Sequence, residues 1–383
     1  MAGVEFFAFL GITSFWILFL SQNGMSLWQI GLLESIFHAT SLICEIPSGM
    51  LADRFSYKTN LYLSRIAGIV SSVLMLAGQG NFWVYALAMV ISAWSYNFDS
   101  GTSAAMVYDS SVEAGHKERY LSISSFMSGV AEATRSLGTV WAGFFVHGQL
   151  HLTYYIMIGT SIIVLFLTWM LKEPSVKAEK AERLTMKKII WAVKEELQRN
   201  PSLFIWMILS QIICTLMCMF YFYYQNQLLD LKDWQISVVM LIGSALNILA
   251  VYLASVIGKK YSALKLFPSV VLLTGASYLL SYFGTPIIYI LIYLISNALY
   301  ALFQPIFDND LQKQLPSEVR ATMLSVYSMM FSLSMIVIFP VTGWLIDYFG
   351  FDWTFIVLGG FLLATTPFLY MGLKKISQNL QEV

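Results

Sequence analysis

"CEIPSGMLADRFSYK", residues Cys44–Lys58, interrupts a chain that is otherwise mostly apolar. It gathers Glu45, Asp53, Arg54 and Lys58 around Pro47 and Gly49, between two long hydrophobic runs. Charges at that density read as a short polar hairpin. The flanking runs are each long enough to cross a bilayer, which takes roughly 20 apolar residues.

Composition extends this reading to the whole chain. Of 383 residues, 58% are hydrophobic and 11% charged, against roughly 25% charged in a soluble protein. The 21 Tyr and 11 Trp are rings of the kind that settle at membrane interfaces. The formal net charge is zero, which gives no basis for a nucleic-acid partner. Cys44, Cys214 and Cys218 all lie in apolar runs, and His38, His116, His147 and His151 show no metal-ligand spacing. No disulfide, metal or cofactor is expected.

Twelve hydrophobic runs can be laid out, at about 3–21, 28–52, 60–78, 82–109, 120–146, 152–171, 202–227, 235–257, 264–282, 286–312, 321–346 and 353–373. Each is too uniformly apolar for barrel strands, so the expected fold is an all-α membrane protein of twelve transmembrane helices. Counting loops from the N-terminus, the even-numbered loops and the C-terminal tail hold 19 of the 22 Lys and Arg residues. The positive-inside rule then puts both termini in the cytoplasm. No basic residue precedes the run Val4 to Leu20, and the expectation is that a short basic leader precedes Met1.

The linker divides the chain into 1–171, 172–200 and 201–383. Within it Met186, Ile189, Ile190, Val193 and Leu197 share one face opposite lysines, the pattern of a helix lying on the inner membrane surface. The two halves repeat each other. "WQIGLLESIFHA" from Trp28 aligns without gaps to "WQISVVMLIGSA" from Trp234, and "LSISS" at 121–125 matches "LSVYS" at 324–328. Parallel repeats of this kind make two six-helix bundles related by an axis along the membrane normal.

In that frame "GMLADRFSYK" resembles the signature G-x-x-x-D-R-x-G-x-[RK]-[RK] of the major facilitator superfamily. Gly49, Asp53, Arg54 and Lys58 match it, while Ser56 stands where glycine is usual and Thr59 replaces the second base. "EIPSG" before it and "SGTSAAMVYDS" at 100–110 are similar to a bacterial branch with an E-I-P-T-G element. The resemblance implies a multi-pass protein of the bacterial inner membrane that works by alternating access as a monomer. It also implies a latch in which Asp53 faces a helix N-terminus while Arg54 and Lys58 engage Asp109.

Ionisable groups at membrane depth are costly and face a cavity or a partner. Glu34, His38 and Glu45 share a face of the second run. Glu45 is as far from the hairpin as Arg65, so the two are expected to form a structural ion pair. Glu34, His38, Asp99 and Glu132 are the candidates for proton coupling. Glu132 and Arg135 are three apart and could equally pair with each other. Arg135, Tyr221, Asn297, Tyr300 and Gln304 are the candidates for binding a small-molecule substrate. Most tyrosines of "FYFYY" at 220–224 read as belt residues, with Tyr221 deeper. With no nucleotide-binding motif, the reading is a secondary transporter and not an enzyme. Proton-coupled efflux of an amphipathic compound leads, and proton-coupled uptake of a small polar nutrient or peptide follows.

Overall fold

The computed structural model describes residues 1–175, 194, 198, 201–315 and 320–381, with the backbone alone for 46–54, 320–322 and 374–381. Among them there is no strand. The helices of the first half are α1 (Ala2–Ala8), α2 (Trp16–Gln22), α3 (Leu27–Arg54), α4 (Tyr57–Ala77), α5 (Phe82–Asp99), α6 (Thr102–Glu113), α7 (Tyr120–Ala142) and α8 (His151–Met170). The second half holds α9 (Pro201–Tyr223), α10 (Asp233–Ile257), α11 (Ala263–Leu279), α12 (Pro286–Gln314), α13 (Arg320–Phe349) and α14 (Phe351–Gln381). The expected surface helix of the linker lies outside the described residues, apart from Lys194 and Gln198.

Nine helices among the described residues are long and apolar enough to cross a membrane. The other three predicted runs differ for local reasons. Run 120–146 is α7, diluted by Glu132, Arg135 and several serines. Run 82–109 is broken between α5 and α6, where Gly101 takes a left-handed φ of 78° that a side chain would resist. Run 3–21 is broken between α1 and α2. There the chain crosses α7 so closely that a Cβ on Gly11 would strike the Arg135 carbonyl, and one on Gly138 the Gly11 backbone.

Helix ends are closed by side chains both near and distant in sequence. Ser56 (φ −71°, ψ 159°) caps α4 and accepts from the Thr59 amide at 3.1 Å, which explains a serine at the place of the usual glycine. The Glu173 carboxylate accepts from the Tyr57 and Lys58 amides at 2.7 and 3.1 Å. Lys58 Nζ in return donates to the carbonyls of Trp169 and Leu171 at 2.9 and 2.8 Å. The expected contact of Lys58 with Asp109 is therefore corrected. Lys58 sits in the first turn of α4, which packs along α8, and its charge meets the negative end of that helix. Asp109 instead accepts from the Tyr57 hydroxyl at 2.6 Å.

The chain forms two compact units. Unit 1 comprises Met1–Met25, Leu33–Arg183 and Lys232–Leu241; unit 2 comprises Ser26–Leu32, Leu184–Leu231 and Ile242–Val383. Each unit thus includes a short helix end from the other half of the sequence. In unit 2 the Asp347 carboxylate accepts from the Leu27 and Trp28 amides at 3.1 and 2.7 Å, capping α3. In unit 1 the Asp233 carboxylate at the start of α10 meets His147 Nδ1 at 2.5 Å.

Candidate functional site

Unit 1 contains a cavity of about 460 Å³. Glu5 reaches it from α1 and Phe9 from just past the end of that helix, Tyr96 and Asp99 from α5, and Glu132 and Arg135 from α7, with Ser100 and Gly101 of the α5–α6 break in its wall. Irregular backbone is tolerated at membrane depth where it lines such a space. The crossing at Gly11 and Gly138 positions α7. Ser14 Oγ meets Thr139 Oγ1 at 2.7 Å, and Thr139 donates to the Arg135 carbonyl at 3.0 Å.

Two ion pairs organise the charges here. Arg65 of α4 reaches Asp99 Oδ2 at 2.8 Å, with both side chains largely buried, and approaches the Ala8 carbonyl at the end of α1 at 3.5 Å. The expected pairing of Arg65 with Glu45 is corrected: α4 lies along α5, so the guanidinium turns to Asp99, while Glu45 is exposed. Arg135 Nη1 meets Glu132 Oε2 at 2.9 Å, and its guanidinium lies over the Phe9 ring at 5.7 Å. Glu132 and Arg135 therefore pair along their own helix and also line the cavity.

Glu5 is the carboxylate that the sequence reading missed. It is 6% exposed and lines the cavity together with Ser103 of α6, whose hydroxyl donates to Asp99 Oδ1 at 3.5 Å. Its signal was available, since a lone carboxylate in an otherwise apolar opening run needs a partner or a function. Glu34 and His38 form a pair at 3.4 Å on α3 and are not among the residues lining this cavity. The side chains of Gly49, Asp53 and Arg54 lie outside the described residues.

The remaining candidates fall in unit 2. Asn297 Nδ2 donates to Asn247 Oδ1 at 3.0 Å, and Gln304 Nε2 to Asp308 Oδ1 at 2.9 Å. Asp310 accepts from the Ala263 amide at 2.8 Å and caps α11. The tyrosine reading of the 220–224 stretch is reversed. Tyr223 and Tyr224 are fully buried, the first bonded to the Phe339 carbonyl at 2.9 Å and the second stacked on Tyr293 at 4.3 Å, whereas Tyr221 is exposed. Facing α12 and α13 decides their burial, and aromatic content alone does not reveal that.

No curated protein sequence matches this chain. Among solved structures it resembles a point mutant of the nucleoside transporter NupG, with a TM-score of 0.79, 15% identity, and 97% of this chain and 98% of that one covered. A POT family transporter in complex with 5-aminolevulinic acid matches with a TM-score of 0.70 and 16% identity, over 98% and 95% of the two chains. A D-xylose–proton symporter matches with a TM-score of 0.68 and 14% identity, over 96% and 95%. The family model of the Major Facilitator Superfamily matches residues 1–339. The chain therefore belongs to the major facilitator superfamily, and is a multi-pass membrane transporter and not an enzyme.

Proposed function

We propose that the protein is a secondary active transporter that exports an amphipathic small molecule in exchange for protons, using the unit 1 cavity as its binding site. The observation that carries this is the cavity itself. It combines the apolar and aromatic wall of a ligand site with three carboxylates, Glu5, Asp99 and Glu132, and carboxylates in such surroundings can exchange protons. Glu34 with His38 is a further proton-handling pair. Tyr221, Asn297, Tyr300 and Gln304 stand as separate substrate-binding candidates within unit 2. The reading includes twelve spans in bundles 1–171 and 201–383, joined by the linker 172–200. Both termini are cytoplasmic, the membrane is the bacterial inner membrane, and a monomer works by alternating access with the Asp53 hairpin as a latch.

A second reading, proton-coupled uptake of a small polar nutrient or peptide, is favoured by Arg135 in the cavity wall and by the nucleoside, xylose and peptide-family neighbours. Proteoliposomes with an imposed pH gradient test both. Drug-like cations and polar nutrients are offered separately, and the direction of net flux relative to the proton gradient is read. Glu5→Gln, Asp99→Asn, Glu132→Gln and Glu34→Gln follow. At least one should lose gradient-driven accumulation while keeping ligand exchange. Wild-type accumulation in all four would remove these carboxylates from the coupling.

A further inference from the structure

We infer that the unit 1 cavity takes a ligand with a single positive charge on an apolar body, and that Glu5 is the group that holds that charge. This rests on the proposed reading of the cavity as the transported molecule's site and adds the ligand's chemical class.

Charge in the cavity wall is matched at two places and unmatched at a third. Arg65 is answered by Asp99 at 2.8 Å and Arg135 by Glu132 at 2.9 Å. Each pair is neutral as a whole. Glu5 is the third carboxylate of the lining, beside Ser103, whose hydroxyl donates to Asp99 Oδ1 at 3.5 Å. Among the described residues no ion pair joins Glu5 to a basic side chain, whereas the two arginines of the wall are each paired. Arg65 is already held by Asp99, so the cavity retains one carboxylate that no basic side chain bonds. An ion buried without its own partner is expensive, and a cationic ligand supplies the partner when it arrives.

The backbone adds to this. Helix α5 ends at Asp99, and a helix C-terminus carries partial negative charge. Interrupted helices in membranes present such ends to cations. The rest of the wall suits an apolar body: the rings of Phe9, Tyr96 and Tyr120 and the side chain of Met127, with ring faces that attract cations. The volume of about 460 Å³ lies within the range that encloses a drug-sized molecule. A protonated Glu5 has no charge to offer, so the proton and the cation are alternative occupants of one carboxyl group.

The test uses two ions of nearly the same shape and opposite charge, tetraphenylphosphonium and tetraphenylborate. Each is titrated calorimetrically into the purified full chain in an uncharged detergent, at about pH 8 and about pH 5.5, so that proton concentration differs several-hundred-fold between the two arms. Tetraphenylphosphonium should bind at the higher pH and weaken at the lower. Glu5→Gln should weaken it at least about tenfold and flatten the pH dependence, and Glu5→Asp should recover part of the affinity, which a folding defect would not do. Ser128→Trp fills the cavity from an exposed position on α7 and should abolish binding. Binding that survives Ser128→Trp overturns both the cavity reading and the inference. Binding lost in Ser128→Trp but unchanged in Glu5→Gln keeps the cavity and overturns the charge assignment alone. A preference for tetraphenylborate, or no binding of either ion, also overturns it.

Discussion

Arg65 and Asp99 set the energetic scale of single residues in this protein. Their side chains are 9% and 18% exposed, so removing one partner strands the other in a low-dielectric site, at a cost of about 3–5 kcal/mol. Arg65→Met or Asp99→Leu alone should destabilise by that amount, and the double variant should recover much of the loss. Denaturant unfolding in detergent across the four proteins gives the coupling, and additive losses would rule the pair out. A second residue-scale prediction concerns Glu113, beyond the membrane-spanning part of α6. The Ser175 amide donates to it at 2.7 Å and Lys172 approaches at 3.3 Å. The Ser175 amide hydrogen bond holds its carboxyl below the ordinary value of 4.5 against the opposing effect of desolvation, and Lys172 adds to the lowering. For a carboxyl shifted down, the contact is present above the ordinary glutamate range and is lost as pH falls through its lowered value. Hydrogen-exchange protection of the Ser175 amide, corrected for intrinsic rates, should therefore drop in acid. Glu113→Gln should show little protection at any pH.

At the scale of elements, the sequence predicts helices well and their interruptions badly. The run from Val4 to Leu20 reads as one span because a hydropathy pattern counts methyl groups, whereas the break near Gly11 arises from contact with α7. "DSGTS" at 99–103 did carry a local sign of the second break, a glycine flanked by cap-forming serine and threonine. The end contacts made by Glu173, Asp310 and Asp347 were invisible, because each joins residues far apart in the chain. The same distance hid the partner of Arg65: spacing from the hairpin compared α3 with α4, and the nearer surface was α5. Glu173→Ala removes the acceptor of two amides at the start of α4 and should cost about 1 kcal/mol, the usual worth of a cap. Exchange at Tyr57 and Lys58 should rise several-fold, and exchange in the middle of α4 should stay as it was. Equal acceleration along the whole helix would mean that Glu173 supports packing and not the cap.

For the whole molecule, the exchange of helix ends has a thermodynamic outcome. Unit 1 includes Lys232–Leu241, and unit 2 includes Ser26–Leu32, so neither half of the sequence completes a unit by itself. Residues 1–171 and 201–383 expressed separately should each unfold at lower temperature than the intact chain, and co-expression should restore a single transition near the wild-type value. Two independent transitions in the intact protein would show that the borrowed segments contribute nothing to cooperativity.

The break at Gly101 bears on the membrane itself. Arg65 lies two turns into α4, about 12 Å along an axis of about 31 Å, and Asp99 meets it there, so the interruption sits well inside the hydrocarbon layer. The first amides of a helix have no partner within it, and lipid offers none. At the start of α6 the neighbouring cavity, with Ser100 and Gly101 in its wall, gives water or a guest room to serve them. A helix begun at this depth beside open space can have its end amides served only from that space, so whatever occupies the cavity also completes the backbone of α6.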